Sequence, residues 1–471
     1  MRYIVILLVC VCFGCSDWLD VKPSDRVAES TAFSTVAGFR QALNGIYVEL
    51  NSDALYGDAL TCGMVEILAQ RYDINQENTS AYALSQHDYT AASVESQLEQ
   101  TWGDAYNLIA NANLLIKNCE ERRDVLSDKY HDLIKGEALG LRAMLHFDLF
   151  RLFGPVYAID STQASIPYYE EFSLEVAPSM TGELFMNEVI SDLREAEDLL
   201  VGDPIITNGI KGDISDDFFQ NRNFRMNYYA VQALLSRAYM YVGQKDSALY
   251  YANKIIEIQE QTFPWVERED ALMGSEPDRV FSSEVIFALE NRNIGSLYSS
   301  HFDATTLKAS SLYGLRTDVY EYHFDYEENT DYRYAGFLRE HAIVNGVDYR
   351  LFTKYESEVN DSVYSKMMPL IRVSELYLNA AEIMLEEDSR GSMDLYNQLL
   401  VHRGLEEIRY MAFSYIEDEW YREFIGEGQL FFFYKRTVAD EMRSALDPYD
   451  DISVRTNDYV LPIPDAENQY N

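Results

Sequence analysis

Positive charge, histidine, tryptophan and cysteine are all scarce in this 471-residue chain. Lys and Arg together number 38 against 78 Asp and Glu, and the resulting net charge of −40 repels phosphate backbones and argues against nucleic-acid binding. The 7 histidines fall singly, none at the spacing of a helical metal pair such as H-E-x-x-H. Beyond residue 15 the cysteines are Cys62 and Cys119, too few for a disulfide framework and read as buried thiols. Beyond residue 15 there is no C-x-x-C, and the chain has no glycine-rich phosphate loop and no G-x-S-x-G elbow. Carboxylates are too numerous for any pair to stand out as a glycosidase dyad. No cofactor is expected. Two acidic stretches, Asp213–Asp217 and Asp447–Asp451, offer oxygens for a structural Ca²⁺ but lack the spacing and the glycine of a calcium loop, so both read as solvated loops. No Pro/Gly/Ser-rich linker divides the chain, which predicts one continuous domain.

Tyrosine is what the chain has in excess, 36 against 23 Phe and 4 Trp. Its ring is apolar on the face and wet at the hydroxyl, which suits helix packing and also suits polar, flat ligands. At the N-terminus Arg2 precedes an apolar run, Tyr3–Phe13, and then Gly14-Cys15-Ser16-Asp17. The run is too short to span a bilayer and fits a secretory signal over residues 1–14. A small residue followed by Cys is similar to a bacterial lipoprotein cleavage site, which makes Cys15 the acylated first residue of the mature protein. Plain secretion and a cytoplasmic chain with an unusual N-terminus are the alternatives.

The stretch Lys135–Val156 predicts the central helix. Ala138, Leu141, Leu145, Leu149 and Leu152 form one stripe, with Gly136, Gly140, Ala143, Phe147 and Phe150 beside it, so the helix belongs inside a large helical domain. Gly140 predicts a close helix-to-helix approach, and Gly154-Pro155 a stop, the glycine through a left-handed turn. Further helices are predicted over Phe33–Leu50, Thr101–Asn118 and Glu183–Leu200. Ala230–Ile256 has small residues and aromatics at the offsets of a tetratricopeptide repeat, and Leu370–Met384 with Met393–Arg403 repeats that plan, Pro369 opening its first turn. Glu284–Leu289 reads as a strand. Residues 51–98 and the segment from Asn291 to Tyr322 break the helical pattern and read as long irregular, aromatic insertions.

Gly136-Glu137-Ala138, Arg142-Ala143 and Phe153-Gly154-Pro155-Val156 together resemble the signature helix of the SusD/RagB family. The leader Trp18–Pro23, Asp331-Tyr332-Arg333, Lys354-Tyr355 and Pro369-Leu-Ile-Arg372 follow in that family's order. So do Ala381-Glu382, Arg403-Gly404, Trp420–Glu427 and Leu461–Pro464. The resemblance implies a mostly α fold of tetratricopeptide-like helical pairs with long irregular insertions and a few short strands. It implies one SusD-like domain over residues 15–471, with an extended leader over 15–30.

By the same resemblance the chain is expected to be a non-enzymatic binding protein, lipid-anchored to the cell-surface face of the outer membrane. It would capture oligosaccharide and pass it to a SusC-like TonB-dependent transporter. Peptide cargo, a scaffold lipoprotein that binds a protein through its helical pairs, and a lipoprotein glycosidase are the rival readings. The ligand is expected on the two irregular segments: Tyr72, Tyr89, Tyr298 and Tyr313 as stacking rings, with Arg71, Asp73 and Asn291 as polar partners. Trp265 is expected to pack the core. Charged residues inside the helical motifs, among them Glu137, Arg142, Arg372, Glu375, Glu382, Arg422 and Glu423, are expected to form tertiary ion pairs.

Overall fold

The computed structural model describes residues 29–173, 176–273, 277–324, 330–356 and 363–468. The signal sequence, Cys15 and the leader Trp18–Pro23 lie outside the described residues. The principal helices are α1 (Val36–Glu49), α2 (Met64–Leu68), α3 (Thr79–Ser85), α4 (Ala92–Glu121), α5 (Asp128–Phe153), α6 (Gly182–Leu199), α7 (Tyr228–Tyr241), α8 (Lys245–Ile256), α9 (Ile294–His301), α10 (Thr317–His323), α11 (Val373–Met384), α12 (Ser389–Val401), α13 (Phe413–Glu423) and α14 (Leu430–Thr437). Short strands sit between them. β1 (Val285–Glu290) pairs antiparallel with β5 (Met367–Arg372), and β2 (Leu315–Arg316), β3 (His341–Val344) and β4 (Val347–Arg350) form a small sheet in the order β2-β4-β3. Local chemistry sets several starts: Thr35 caps α1, Thr181 caps α6, Asn227 caps α7 and Asp388 caps α12 through side-chain oxygens that accept first-turn N–H groups.

The fold is mostly α, and α5 is its axis. Twenty-one of its 26 residues are buried, and α4, α6 and α7 pack around it. Gly140 is required for that packing, because a Cβ there would lie 2.6 Å from Cγ of Met226 and 3.2 Å from Val231. The helix stops at Gly154, but not through a left-handed turn: Gly154 is extended, at φ −75°. Pro155 disfavours helical backbone in the residue before it, and that explains the stop better. Nζ of Lys435 then donates to the Arg151 and Gly154 carbonyls at 2.8 Å each and to Leu152 at 3.4 Å, closing the helix end from the far end of the chain.

The two helical pairs, α7–α8 and α11–α12, are built alike. Ser236 of α7 donates to the Ala248 carbonyl of α8 at 2.9 Å, and Ser392 of α12 donates to Ala381 of α11 at 2.6 Å. Each buried serine draws two backbones together where a larger side chain would separate them. Arg237 joins the pairs through two hydrogen bonds to Glu375, at 2.7 and 2.6 Å. Trp265 is in the core, stacked on His402 and tilted against Tyr377.

Three expectations need correction. Pro369 does not open a helix; it lies in β5 opposite Ala288, and α11 starts only at Val373. A two-stranded sheet leaves one side of each strand without a ladder, so a missing N–H is tolerated there. Residues 51–98 are not a bare insertion: they hold α2, α3 and the first turns of α4, which begins nine residues before Thr101. The segment after Asn291 likewise contains α9 and the start of α10. Helices of 5 to 8 residues do not repeat often enough for a 3.6-residue period to show.

Among the described residues no helix is long and apolar enough to cross a membrane. Cys62 and Cys119 are buried and free. The acidic run near Asp213 is spoken for by protein groups: Lys129 lies 3.4 Å from Asp213, Tyr130 donates to Asp216, and Arg40 bonds Asp217 at 2.8 Å.

Candidate functional site

Part of the charge inside the molecule belongs to a network whose cations and carboxylates pair with one another. Arg333, Arg372, Arg403, Lys354 and Arg422 meet Asp331, Glu284, Glu419, Glu423 and Glu427, five cations to five carboxylates. Glu423 is at its centre, bonded to Arg333 at 2.7 Å, to Arg372 at 2.5 Å and to Arg403 at 2.6 Å. Burial alone would raise its pKa, yet Arg403 and Arg372 hold the carboxyl well below the usual carboxylate range. The other motif charges are paired as expected: Glu137 with Arg222 and Arg225, Arg142 with Asp192, Glu375 with Arg237 and Glu382 with Arg436.

The two segments predicted to carry the ligand do meet. Asp73 N–H donates to the Gly314 carbonyl at 2.8 Å and Gly314 N–H returns to Asp73 at 3.3 Å, a bridge that fastens the first segment to the second. Gly314 is needed for this contact, since a Cβ there would meet the Tyr349 ring at 2.4 Å. Beside the bridge, Tyr72 and Tyr313 stack at 5.4 Å, and His301 stacks on Tyr313 at 4.2 Å with only 6° between planes.

The roles within that cluster differ from those expected. Tyr72 is 4% exposed, its hydroxyl donates to the Cys62 carbonyl at 2.9 Å, and burial raises its pKa well above that of a free tyrosine. Tyr313 has one face on Tyr72 and the other on His301, so neither ring is open for stacking. Arg71 is fully buried. It bonds Glu66 at 2.9 Å and the Tyr421 carbonyl at 2.6 Å, with its guanidinium over the Tyr421 ring. Tyr298 packs in the core. Tyr89 reaches away to the Asp458 carbonyl, and burial raises its pKa. Asn291 is buried and makes a turn: its Oδ1 accepts the Asn293 N–H at 2.8 Å and its own N–H donates to Lys366 at 2.7 Å. Asp73 alone of the polar set sits at the edge. Tyr349 donates to its carboxyl at 2.9 Å, and burial pushes its pKa up against that bond and nearby Arg316.

The half-open part of the cluster is therefore a rim of residues not selected by aromatic type. His301 bonds Asp58 at 3.2 Å, both about one-fifth exposed, and Arg316 lies 3.9 Å from Asp73 and 3.2 Å from exposed Asp318. Serines 299 and 300 of α9 are exposed alongside. The rim thus offers an imidazole, a guanidinium, carboxylates and hydroxyls over a stacked aromatic floor, which is hydrogen-bonding chemistry for a polyhydroxylated ligand. Selection by ring type passes over His301, Asp58 and Arg316; the signal for them is their place beside the segment crossing, which no local pattern reveals.

Comparison with known proteins agrees with this architecture. Residues 17–240 match a SusD-like family model described as starch-binding associating with outer membrane. The SusD-like protein P2 of Formosa agariphila is 29% identical over 160 residues, 34% of this chain and 30% of the relative. The SusD-like protein P25 of the same organism is 24% identical over 206 residues, 41% of this chain and 36% of the relative. The chain spans about a third of the length of these curated relatives. A SusD superfamily structure from Bacteroides thetaiotaomicron superposes with a TM-score of 0.71 at 21% identity, covering 92% of this chain and 98% of that one. A SusD-like carbohydrate binding protein from Bacteroides vulgatus gives 0.70 at 20% identity, covering 93% and 96%. Residues 17–240, just under half of the chain, are thus similar to the SusD-like family, and the fold is shared with SusD superfamily structures over more than nine-tenths of the chain's length.

Proposed function

We propose that this protein is a non-catalytic capture protein, anchored by lipid at Cys15 to the surface of the outer membrane, which binds oligosaccharide and delivers it to a TonB-dependent transporter. The observation that carries the reading is the crossing of the two segments at Asp73 and Gly314, which assembles the rim of His301, Asp58, Arg316 and Asp318 from distant parts of the chain. Sugar rings have polar edges that such groups bond, and the reading needs no cofactor. The family description and the sugar-binding relatives support the class of ligand. Neutral glycans suit it best, because a chain of net charge −40 repels polyanions.

The test is a glycan-array screen of the folded protein followed by calorimetry on the best ligand. The double variant His301→Ala/Arg316→Ala should bind at least tenfold more weakly with an unchanged melting temperature. Absence of binding to any arrayed glycan, by folded protein, would sink the capture reading. For the anchor, Cys15→Ser should release the protein from membranes, since a single signal-derived acyl anchor is its proposed attachment. A Ser variant that stays in the outer-membrane fraction, in cells lacking the transporter, would overturn that part.

A further inference from the structure

Away from the rim, the surface carries a pair of tyrosines that the proposed function leaves unused. Tyr322, near the end of α10, is 52% exposed, and Tyr449 is 83% exposed. They come from segments 127 residues apart in sequence, yet their ring centroids lie 5.0 Å apart with 66° between planes. Among the described residues neither hydroxyl has a hydrogen-bond partner.

Both rings stand on ordered backbone. Tyr449 sits in the turn between two further strands, β6 (Glu441–Arg443) and β7 (Asp451–Ser453). In that turn the Ser444 hydroxyl accepts the N–H groups of Leu446 and Asp447, and Asp447 accepts that of Tyr449 at 2.9 Å. Under Tyr322 lies His323, which contacts buried Tyr421 and accepts a hydrogen bond from Arg443 at 3.1 Å; Arg443 is fixed in turn by Asp418. Two large rings thus stand against each other in water with most of their faces unburied.

We propose that the Tyr322–Tyr449 pair is a second saccharide site, whose two angled rings cradle a neutral pyranose while exposed Asp447 and Asp450 accept its hydroxyls. The area argues against a protein partner: each ring offers at most about 150–250 Å² and, among the described residues of these two segments, Leu446 is the one exposed large apolar side chain besides them, well short of the roughly 800 Å² per side of a stable protein interface. The flanking carboxylates of Asp447, Asp450 and Asp451 exclude polyanionic ligands. Along the axis of α10, Tyr322 lies roughly 9 Å beyond Arg316 of the rim at 1.5 Å per residue, and roughly 120° around it. A polysaccharide that wraps this end of α10 would reach both sites, and their linkage would raise avidity without a new contact. This inference rests on the saccharide reading of the rim.

Native affinity electrophoresis tests it, with soluble starch, galactomannan, xyloglucan and mixed-linkage β-glucan each cast in the gel. For the polymer that retards the wild type, Tyr322→Ala/Tyr449→Ala should lower apparent affinity about tenfold at unchanged melting temperature. Binding of a short oligosaccharide of that polymer, which occupies the rim alone, should stay the same. Retardation lost in His301→Ala/Arg316→Ala but unchanged in the tyrosine variant overturns the second site and leaves the rim standing. No retardation of wild type by any of the four polymers overturns both. Normal retardation by the tyrosine variant, together with loss of transporter co-purification, assigns the pair to a protein and overturns the saccharide occupant.

Discussion

Replacing Tyr72 by Ala would take a ring from between Tyr313 and Phe302 and leave the Cys62 carbonyl without its donor. We expect this change to destabilise the protein by about 3 kcal/mol, the cost of emptying a buried aromatic site, and to weaken ligand binding only as the fold weakens. Urea melts beside calorimetry check it; a variant with full stability and lost affinity would return Tyr72 to the ligand. The contrast with His301, whose edge is open, shows what residue type conveys and what it hides. That motif charges such as Glu423 and Arg372 are paired inside was legible, because an ionised group amid helical apolar stripes must find a partner. Which tyrosine shows its face to solvent was not, because identical residues differ only in what the fold places over them.

At the scale of elements, the long helices were readable from their period and the crossing of short segments was not. The anchor helix α5 shows why. Its two apolar stripes predicted burial, and its glycine predicted a close neighbour, which is Met226. Gly140→Val should therefore cost about 2–3 kcal/mol: the added branch overpacks against Met226 and Val231, and a β-branched residue recovers only part of the helix propensity that Gly gives up. A thermal melt that rises on this substitution would show that Met226 yields without strain. Strand β5, by contrast, hid behind the apolar run that continues into α11, since Leu370 and Ile371 fit either period and only Pro369 and the partner β1 decide. The rim depends on such pairings between distant segments, so its residues could not be chosen from one stretch.

For the molecule as a whole, histidines kept neutral by their surroundings, one buried and two half-buried, contribute to the response to acid. His146 stacks on Tyr168 at 3.8 Å, its Nε2 accepts the Tyr169 N–H, and its proton on Nδ1 faces the Arg142 carbonyl. Burial, and then the Arg142 charge, holds its pKa well below that of free histidine. Burial followed by Arg443 lowers His323 to about 3, and burial lowers His87. Each is neutral when folded but takes a proton when unfolded below about pH 6.5. Their stabilisation is therefore complete above that pH and is lost as the pH falls below it. Asp278, which burial raises to about 6, acts the other way and returns part of the loss as it protonates. The expected net loss is about 2 kcal/mol between pH 7.5 and 5.5, before carboxylates such as Glu423 begin to titrate. Urea denaturation at the two pH values measures it, and greater stability at pH 5.5 would contradict it. The Lys435 closure of α5 has a different consequence, in the order of assembly. The Lys435 amine and the carbonyls it seals are 281 to 284 residues apart. At roughly 5–20 residues per second of synthesis, the end of α5 waits on the order of 15–60 seconds for its cap. The early helices can pack on α5 in that interval, but the carbonyls at its end stay open until most of the chain exists.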